Sequence, residues 1–283
     1  MRTLGIDLAA QDKKTAMCAI EWIAQRALVE LPIAGVDGQT LLDAMHRADW
    51  IGIDAPFGWP DAMVEAIHDY AHGRPWPDTA VPEKLRYRTT DWFVHDVIAR
   101  ERHISVWPLS VSSDRIAVCA WRCASLLSQY AATSGWTLDR IGVPLSSGTD
   151  SPPGSSLPDG LVAGGGVVEV YPAAALALWG LPHKGYKATS AATAKRARDK
   201  RIAIMGELER ATGAWLILSD DVREACVGND DAFDAFVSSL VACAAATDCT
   251  LKPSVEQRGA AQREGWIHLP SPASIGSLAP SPV

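Results

Sequence analysis

The sequence predicts a single α/β domain in which helices flank a mixed β-sheet, with an insertion after the fourth strand. Three observations support this fold class. Short alternating strand patterns open the chain, helical patterns dominate its second half, and apolar strands that carry acidic residues lie between them. The chain has 283 residues, of which 48% are hydrophobic and 21% charged, and this composition suits one large domain with a sizeable core.

The first strand is predicted over residues 2–9. Leu4, Ile6 and Leu8 alternate there with small or polar residues, so that Asp7 projects away from the apolar face. Periodicity then predicts strands over residues 15–23 and 27–33, a helix over 39–48, and a short buried strand over 50–53 that runs into Asp54-Ala55-Pro56.

The middle of the chain is predicted to be less regular. Residues 57–109 are rich in proline and tryptophan and are interpreted as an insertion or lid, with one helix over 61–71. A well-marked helix follows over residues 114–132. Residues 146–166 are rich in serine, proline and glycine, which favours a mobile loop.

The last part of the chain returns to regular patterns. A strand over residues 167–171 contains Glu169 on the face opposite its valines. The remaining predictions are helices over 191–212 and 231–247, a terminal strand over 265–269, and a flexible tail over 271–283 after a main domain of residues 1–270.

The charge of the chain restricts the kinds of partner that it could bind. The formal net charge of −7 argues against a broad surface that coats phosphates, so any contact with nucleic acid is expected to be local or helped by metal ions. The chain has no charged-then-apolar leader and no run of about 18 apolar residues. We therefore expect a cytoplasmic protein without a membrane partner; the oligomeric state is left open.

Five acidic residues form the candidate catalytic set: Asp7, Asp54, Glu169, Asp231 and Asp234. All of them except Asp234 are also candidate metal ligands. An acid inside an apolar strand costs desolvation energy unless it is paired or binds a cation. Asp231 and Asp234 are three residues apart and share one face of a helix, although acids at this position also complement the helix dipole. Oxygen-only ligands suit Mg²⁺ or Mn²⁺, and two such ions held a few ångströms apart can support phosphodiester hydrolysis.

Three basic residues are weaker candidates for binding a substrate phosphate. Arg88 lies in the insertion, and Lys184 and Lys187 lie in the loop after the Glu169 strand. Each of them could instead be a solvated loop charge or the partner of a nearby acid.

Motifs in several of these elements together resemble one protein family. They are Gly5-Ile6-Asp7-Leu8-Ala9, Ile51-Gly52-Ile53-Asp54-Ala55-Pro56-Phe57-Gly58, Arg88-Thr89-Thr90-Asp91, Glu169-Val170-Tyr171-Pro172-Ala173 and Asp230-Asp231-Ala232-Phe233-Asp234-Ala235. In this order they resemble the DUF429 family, described as predicted nucleases with a ribonuclease H-like fold. The resemblance implies that Asp7 is the central metal ligand, that Asp54 and Glu169 flank it, and that Asp231 and Asp234 complete the site.

The sequence therefore predicts a divalent-metal-dependent nuclease with a ribonuclease H-like fold, and two alternatives remain. An actin-like phosphotransferase would share the three-strand opening and the first aspartate, but it needs glycine-rich nucleotide loops, and residues 9–11 (Ala-Ala-Gln) offer none. A non-catalytic protein could keep the same fold and bind a partner through its tryptophan-rich insertion.

Overall fold

The structure is a computed structural model that describes residues 1–77, 82–135, 139–142, 165–213 and 215–279. Strands dominate the first part of the chain, and helices dominate the rest. The strands are β1 (Arg2–Asp7), β2 (Ala16–Ile23), β3 (Arg26–Val29), β4 (Ile33–Ala34), β5 (Trp50–Asp54), β6 (Gly166–Glu169) and β7 (Leu216–Ile217). The helices are α1 (Gly38–Met45), α2 (Asp61–Ala71), α3 (Glu83–Arg86), α4 (Thr89–Arg102), α5 (Ala117–Ser134), α6 (Pro172–Leu178), α7 (Ala191–Thr212), α8 (Asp220–Gly228), α9 (Asp230–Ala246) and α10 (Arg258–Glu264).

Within the described residues, seven strands form one mixed sheet with the order β6-β5-β1-β2-β3-β7, and β4 pairs with β2. Strands β1, β5 and β6 are parallel to one another, whereas β2 is antiparallel to both β1 and β3. The α/β class and the mixed sheet flanked by helices are confirmed.

Two helical layers cover the sheet. Helices α1 and α5 pack on one face against apolar residues such as Ile6 and Ile53. Helices α6 to α9 cover the other face, where α9 is buried almost along its whole length. The central strands of the sheet are therefore covered on both sides.

Helix α9 lies unusually close to the central strands because two glycines leave room for it. Gly5 of β1 and Gly52 of β5 are direct partners in the sheet. A β-carbon at Gly5 would overlap the carbonyl oxygen of Ala235 and the backbone nitrogen of Ser239. At Gly52 it would lie 2.5 Å from the carbonyl oxygen of Ser238. The two glycines therefore set the distance between the helix and the sheet.

Most predicted elements occur with boundaries shifted by a few residues, and several differ in kind. The strand expected over 27–33 is divided into β3 and β4, and the terminal strand expected over 265–269 is replaced by an isolated bridge between Ile267 and Glu169. In the segment expected to be a flexible tail, Ile275 and Leu278 are buried in the core. Of the loop expected over 146–166, residues 146–164 lie outside the described part of the chain.

The insertion over residues 57–109 is more helical than its sequence suggests. It contains α2, α3 and the fourteen-residue helix α4, which the sequence pattern did not predict. Val94 and Val97 of α4 are buried against Leu178 of α6, so this part of the insertion packs as a layer of the domain. In the parts of the chain that the structure describes, no helix combines the length and the apolar character needed to cross a membrane.

The glycine contacts predict the effect of one substitution. We expect Gly5→Ala to destabilise the protein by about 3 kcal/mol or more, because backbone atoms of α9 must move to admit the methyl group. Urea denaturation measures this difference. Gly206→Ala in α7 is the control: no atom lies within 4 Å of its new methyl group, and it should stabilise the helix by about 0.5–1 kcal/mol. A Gly5→Ala variant as stable as the wild type would contradict the close packing.

Candidate active site

Two aspartates lie side by side at the carboxyl ends of β1 and β5. Asp7 and Asp54 are direct partners in the parallel ladder, two residues beyond the glycine pair. Because side chains alternate along a strand, both aspartates lie on the face that α9 covers. The first turns of α9 carry Asp231 and Asp234, and the charges of these two carboxylates raise the pKa of Asp7. The structure thus brings these four acids together, and the charge of the fifth, Glu169, also acts on Asp54.

Asp234 is fully buried and has two partners from the segment that precedes α7. The hydroxyl of Tyr186 donates a hydrogen bond of 2.9 Å to its Oδ1, and the ammonium of Lys187 forms an ion pair with its Oδ2. Asp231 is more exposed, and its nearest cation is the ammonium of Lys14 at 3.7 Å. Lys187 is therefore the cation in closest contact with the acidic group.

Asp7 experiences strong repulsion from its neighbours. Desolvation raises the pKa of Asp7 well above its usual range, and the charge of Lys187 opposes this rise. The carboxylates of Asp54, Asp231 and Asp234 raise this pKa further. An isolated ammonium does not compensate so many carboxylates, and the group therefore favours either bound protons or an additional cation.

The same balance acts on Asp54 and Lys187. Desolvation raises the pKa of Asp54 to about 7, although the charge of Lys187 lowers it. Desolvation lowers the pKa of Lys187, but the nearby carboxylates outweigh this effect and raise it well above its usual value. Lys187 is consequently a permanent cation, and Asp54 titrates close to neutral pH.

Glu169 has a different environment from the other four acids. It pairs with Ile53 in the parallel ladder, which places it on the sheet face opposite Asp54. Its carboxylate accepts hydrogen bonds of 2.8 and 2.9 Å from the Arg88 guanidinium and one of 2.9 Å from the backbone N–H of Phe57. Glu169 is thus held in a buried ion pair.

Arg88 uses all five of its guanidinium N–H groups within the protein. Besides Glu169, it donates two hydrogen bonds to Asp91 and one to the carbonyl oxygen of Glu264. A guanidinium has five donors, so none is left for a phosphate in this arrangement. Arg88 thus has a structural role in the buried network, and its binding of a substrate phosphate stays a prediction. Lys184 is exposed, and its ammonium donates to the carbonyl oxygen of Ser105 at 3.4 Å.

A cavity of about 630 Å³ opens beside Asp7 and Asp54. It lies at the carboxyl ends of the parallel strands, the position where open α/β sheets commonly bind ligands. Arg115, His183 and Lys187 line it together with the two aspartates, and Glu169 and Arg88 also belong to its lining. The lining of the cavity therefore combines carboxylates with basic side chains.

Sequence patterns missed three residues of this region. Tyr186 and His183 belong to a compact polar run, residues 182–187 (Pro-His-Lys-Gly-Tyr-Lys), that begins a few residues after α6, and this run could have marked them. Arg115 has no such signal, because a single arginine before a helix is common.

The donor set is suitable for a hard divalent cation. The candidate ligands are all carboxylate oxygens, which Mg²⁺ and Mn²⁺ prefer. Among the residues that the structure describes, no group of three or more acidic, histidine or cysteine side chains is arranged as a ready-made metal site. Mg²⁺ usually keeps several waters and needs one or two protein carboxylates. The adjacent pair Asp7 and Asp54 meets that requirement.

The fold and the cavity define an α/β protein with a carboxylate-rich site at the end of its parallel strands. Residues 5–258 match the sequence profile of a family described as "Protein of unknown function (DUF429)", and the chain belongs to this family. Neither the curated proteins nor the solved structures contain a match to the chain.

The Arg88 network leads to a prediction about stability. We expect Arg88→Met to destabilise the protein by about 3–5 kcal/mol, because it leaves the buried carboxylates of Glu169 and Asp91 without their cation. Urea denaturation at pH 7 measures the loss. Arg100→Met removes an exposed pair with Glu101 and should change stability by less than about 1 kcal/mol. A loss of stability in Arg88→Met as small as that in Arg100→Met would show that the buried network is not critical.

The raised pKa of Asp54 leads to a prediction about pH. The folded state holds this proton more tightly than the unfolded state, so the stabilisation is present in acid and is lost as the pH rises through about 7. In the presence of EDTA, Asp54→Asn should therefore be more stable than the wild type at pH 8 by about 1 kcal/mol or more.

This difference should shrink toward pH 5, where Asp54 of the wild type is protonated; urea denaturation at both pH values measures it. The control is Asp43→Asn on the exposed side of α1, which should change stability by less than about 0.5 kcal/mol at either pH. A wild type more stable than Asp54→Asn at pH 8 would contradict the repulsion.

Proposed function

We propose that the protein is a divalent-metal-dependent phosphodiesterase, a nuclease in the broad sense, that uses Mg²⁺ or Mn²⁺. The observation that carries this proposal is the in-register pair of Asp7 and Asp54 below the acidic first turns of α9. Acids concentrated in this way at a cavity cost stability, and they are explained best by chemistry that needs them.

The sheet topology gives independent support. The order β6-β5-β1-β2-β3, with β2 antiparallel to its neighbours, resembles the ribonuclease H-like arrangement. In folds of that kind, a site at the ends of the central strands is the expected position for metal-assisted phosphoryl chemistry. The additional strand β7 beside β3 lies far from the site in strand order and does not alter this comparison.

Each acidic residue has a distinct part in the proposed reaction. Asp7 and Asp54 would hold the ion, and Asp231, which is partly buried, is the acid that could complete its shell. The ion, when bound, would lower the pKa of a water molecule and neutralise charge on the phosphate. Lys187 fixes Asp234, and half of its side chain is exposed beside the cavity, so that it could also attract a phosphate. Glu169 and Arg88 would support the wall of the site.

The overall reaction is simple to balance. The oxygen of a water molecule forms a bond to phosphorus, and the ester P–O bond breaks. One proton of the water passes to solvent or to a neutralising carboxylate, and the leaving oxygen takes up a proton. The products are a phosphate monoester and an alcohol.

The proposal predicts that metal binding and cleavage both depend on Asp7. Isothermal titration with Mn²⁺ should show binding to the wild type, and Asp7→Asn should weaken it by about 100-fold or more, at least as much as loss of a supporting residue typically does. Mn²⁺-dependent cleavage of single-stranded and duplex DNA and RNA should fall in parallel. Asp43→Asn serves as the control and should leave both measurements unchanged.

Other outcomes separate the alternatives. Cleavage that persists in Asp7→Asn would remove this residue from the mechanism. ATP hydrolysis or phosphate transfer without phosphodiester cleavage would favour the actin-like phosphotransferase. Absence of both Mn²⁺ binding and cleavage at millimolar metal would favour a non-catalytic binding protein.

A further inference from the structure

The cavity contains a cation that has no counter-charge of its own. Arg115 lies just before α5, is exposed, and lines the cavity. Within the described ranges, its guanidinium forms no ion pair and no hydrogen bond. An arginine with free donors is a good ligand for a phosphate, because its planar fork matches two phosphate oxygens.

A second polar group in the cavity lining also lacks a partner. The Nε2 atom of His183 is buried and has no hydrogen-bond partner among the described residues. A buried polar atom left unpaired destabilises the protein, and a ligand that supplies the missing hydrogen bond would remove this cost. Desolvation lowers the pKa of His183, so that its ring is neutral at pH 7 and can either donate or accept.

The rest of the cavity is suited to an organic group of limited size. Leu109, Ile116 and Tyr171 contribute apolar or aromatic surface to its lining. Its volume of about 630 Å³ lies within the range of about 300–1,000 Å³ that is typical of small-molecule sites. A nucleoside with one phosphate fits this range, whereas a duplex does not.

We propose that this cavity binds a single nucleotide-sized phosphate ester, with its phosphate between Arg115 and the aspartate pair and its organic group on the apolar wall. His183 would form a hydrogen bond to the same ligand through Nε2. This inference rests on the proposed function and specifies its substrate class. The ester could be a free small phosphodiester or the terminal nucleotide of a strand, and both present the same chemistry to the cavity.

Kinetics with three substrates test this inference. They are a dinucleotide joined by one phosphodiester, a 20-nucleotide single strand labelled at its end, and a 20-base-pair closed duplex without free ends, all with Mn²⁺. We expect cleavage of the dinucleotide, of the terminal nucleotide of the strand, or of both, and a much lower kcat/KM for the closed duplex. Preference for the dinucleotide identifies a free small ester, and preference for the strand identifies a polymer end.

Substitution of Arg115 tests the phosphate contact. Arg115→Ala should raise KM by about 10-fold or more, since a charge-assisted hydrogen bond is lost, and Arg115→Lys should recover part of the loss. Mn²⁺ affinity should not change, because Arg115 is not a metal ligand. His183→Ala should raise KM more than His183→Gln, which keeps a hydrogen-bonding group. Arg100→Ala is the matched control, an exposed arginine outside the cavity lining.

The outcomes distinguish this inference from the proposed function. Efficient cleavage of the closed duplex, or an unchanged KM in Arg115→Ala, would overturn the inference and leave the nuclease proposal standing. If no substrate is cleaved, the nuclease proposal fails, and titration with a nucleoside monophosphate decides the inference alone. Binding that Arg115→Ala weakens would support the nucleotide-sized site, and absence of binding would overturn it.

Discussion

The close contact between α9 and the glycine pair determines the rest of the site. Gly5 and Gly52 let the helix backbone lie directly on β1 and β5. This contact brings the amino-terminal end of α9 over the carboxyl ends of the two strands, where Asp7 and Asp54 lie. The positive end of the helix dipole there partly compensates the carboxylates. A larger residue at either glycine would separate the acids that the site needs together.

The charges of the buried acids on the two faces of the sheet are compensated to different degrees. On one face, Glu169 and Asp91 share Arg88, whose donors are all satisfied, and the network ties the strand end to α4. On the other face, the aspartates greatly exceed the cationic charge that Lys187 offers. Full compensation makes the first group a rigid support. Incomplete compensation leaves the second group able to bind a further cation.

Much of the fold was accessible from periodicity, whereas the site was accessible only in part. The bounds of α2 and α7 agree with the predicted ranges, and α7 begins after Ser190 in a capping box and ends before Gly213. An acidic residue within an apolar strand indicates only that some cation or proton compensates its charge. It does not say whether a metal or an arginine provides it, and Arg88 lies 81 residues before Glu169. The cavity walls depend on residues such as Arg115 and His183, which tertiary packing brings together and which no local pattern marks.

The repeated Gly-x-Asp pattern of β1 and β5 also has a consequence for how the chain finds its strand alignment. If β1 slipped by one residue against β5, its side chains would exchange faces. Asp7 would enter the apolar layer formed with α1 and α5, and Ile6 would collide with the backbone of α9. Both errors are costly, so misaligned pairings of these strands are strongly disfavoured. The glycines and aspartates of β1 and β5 thus also fix the register in which these two strands pair.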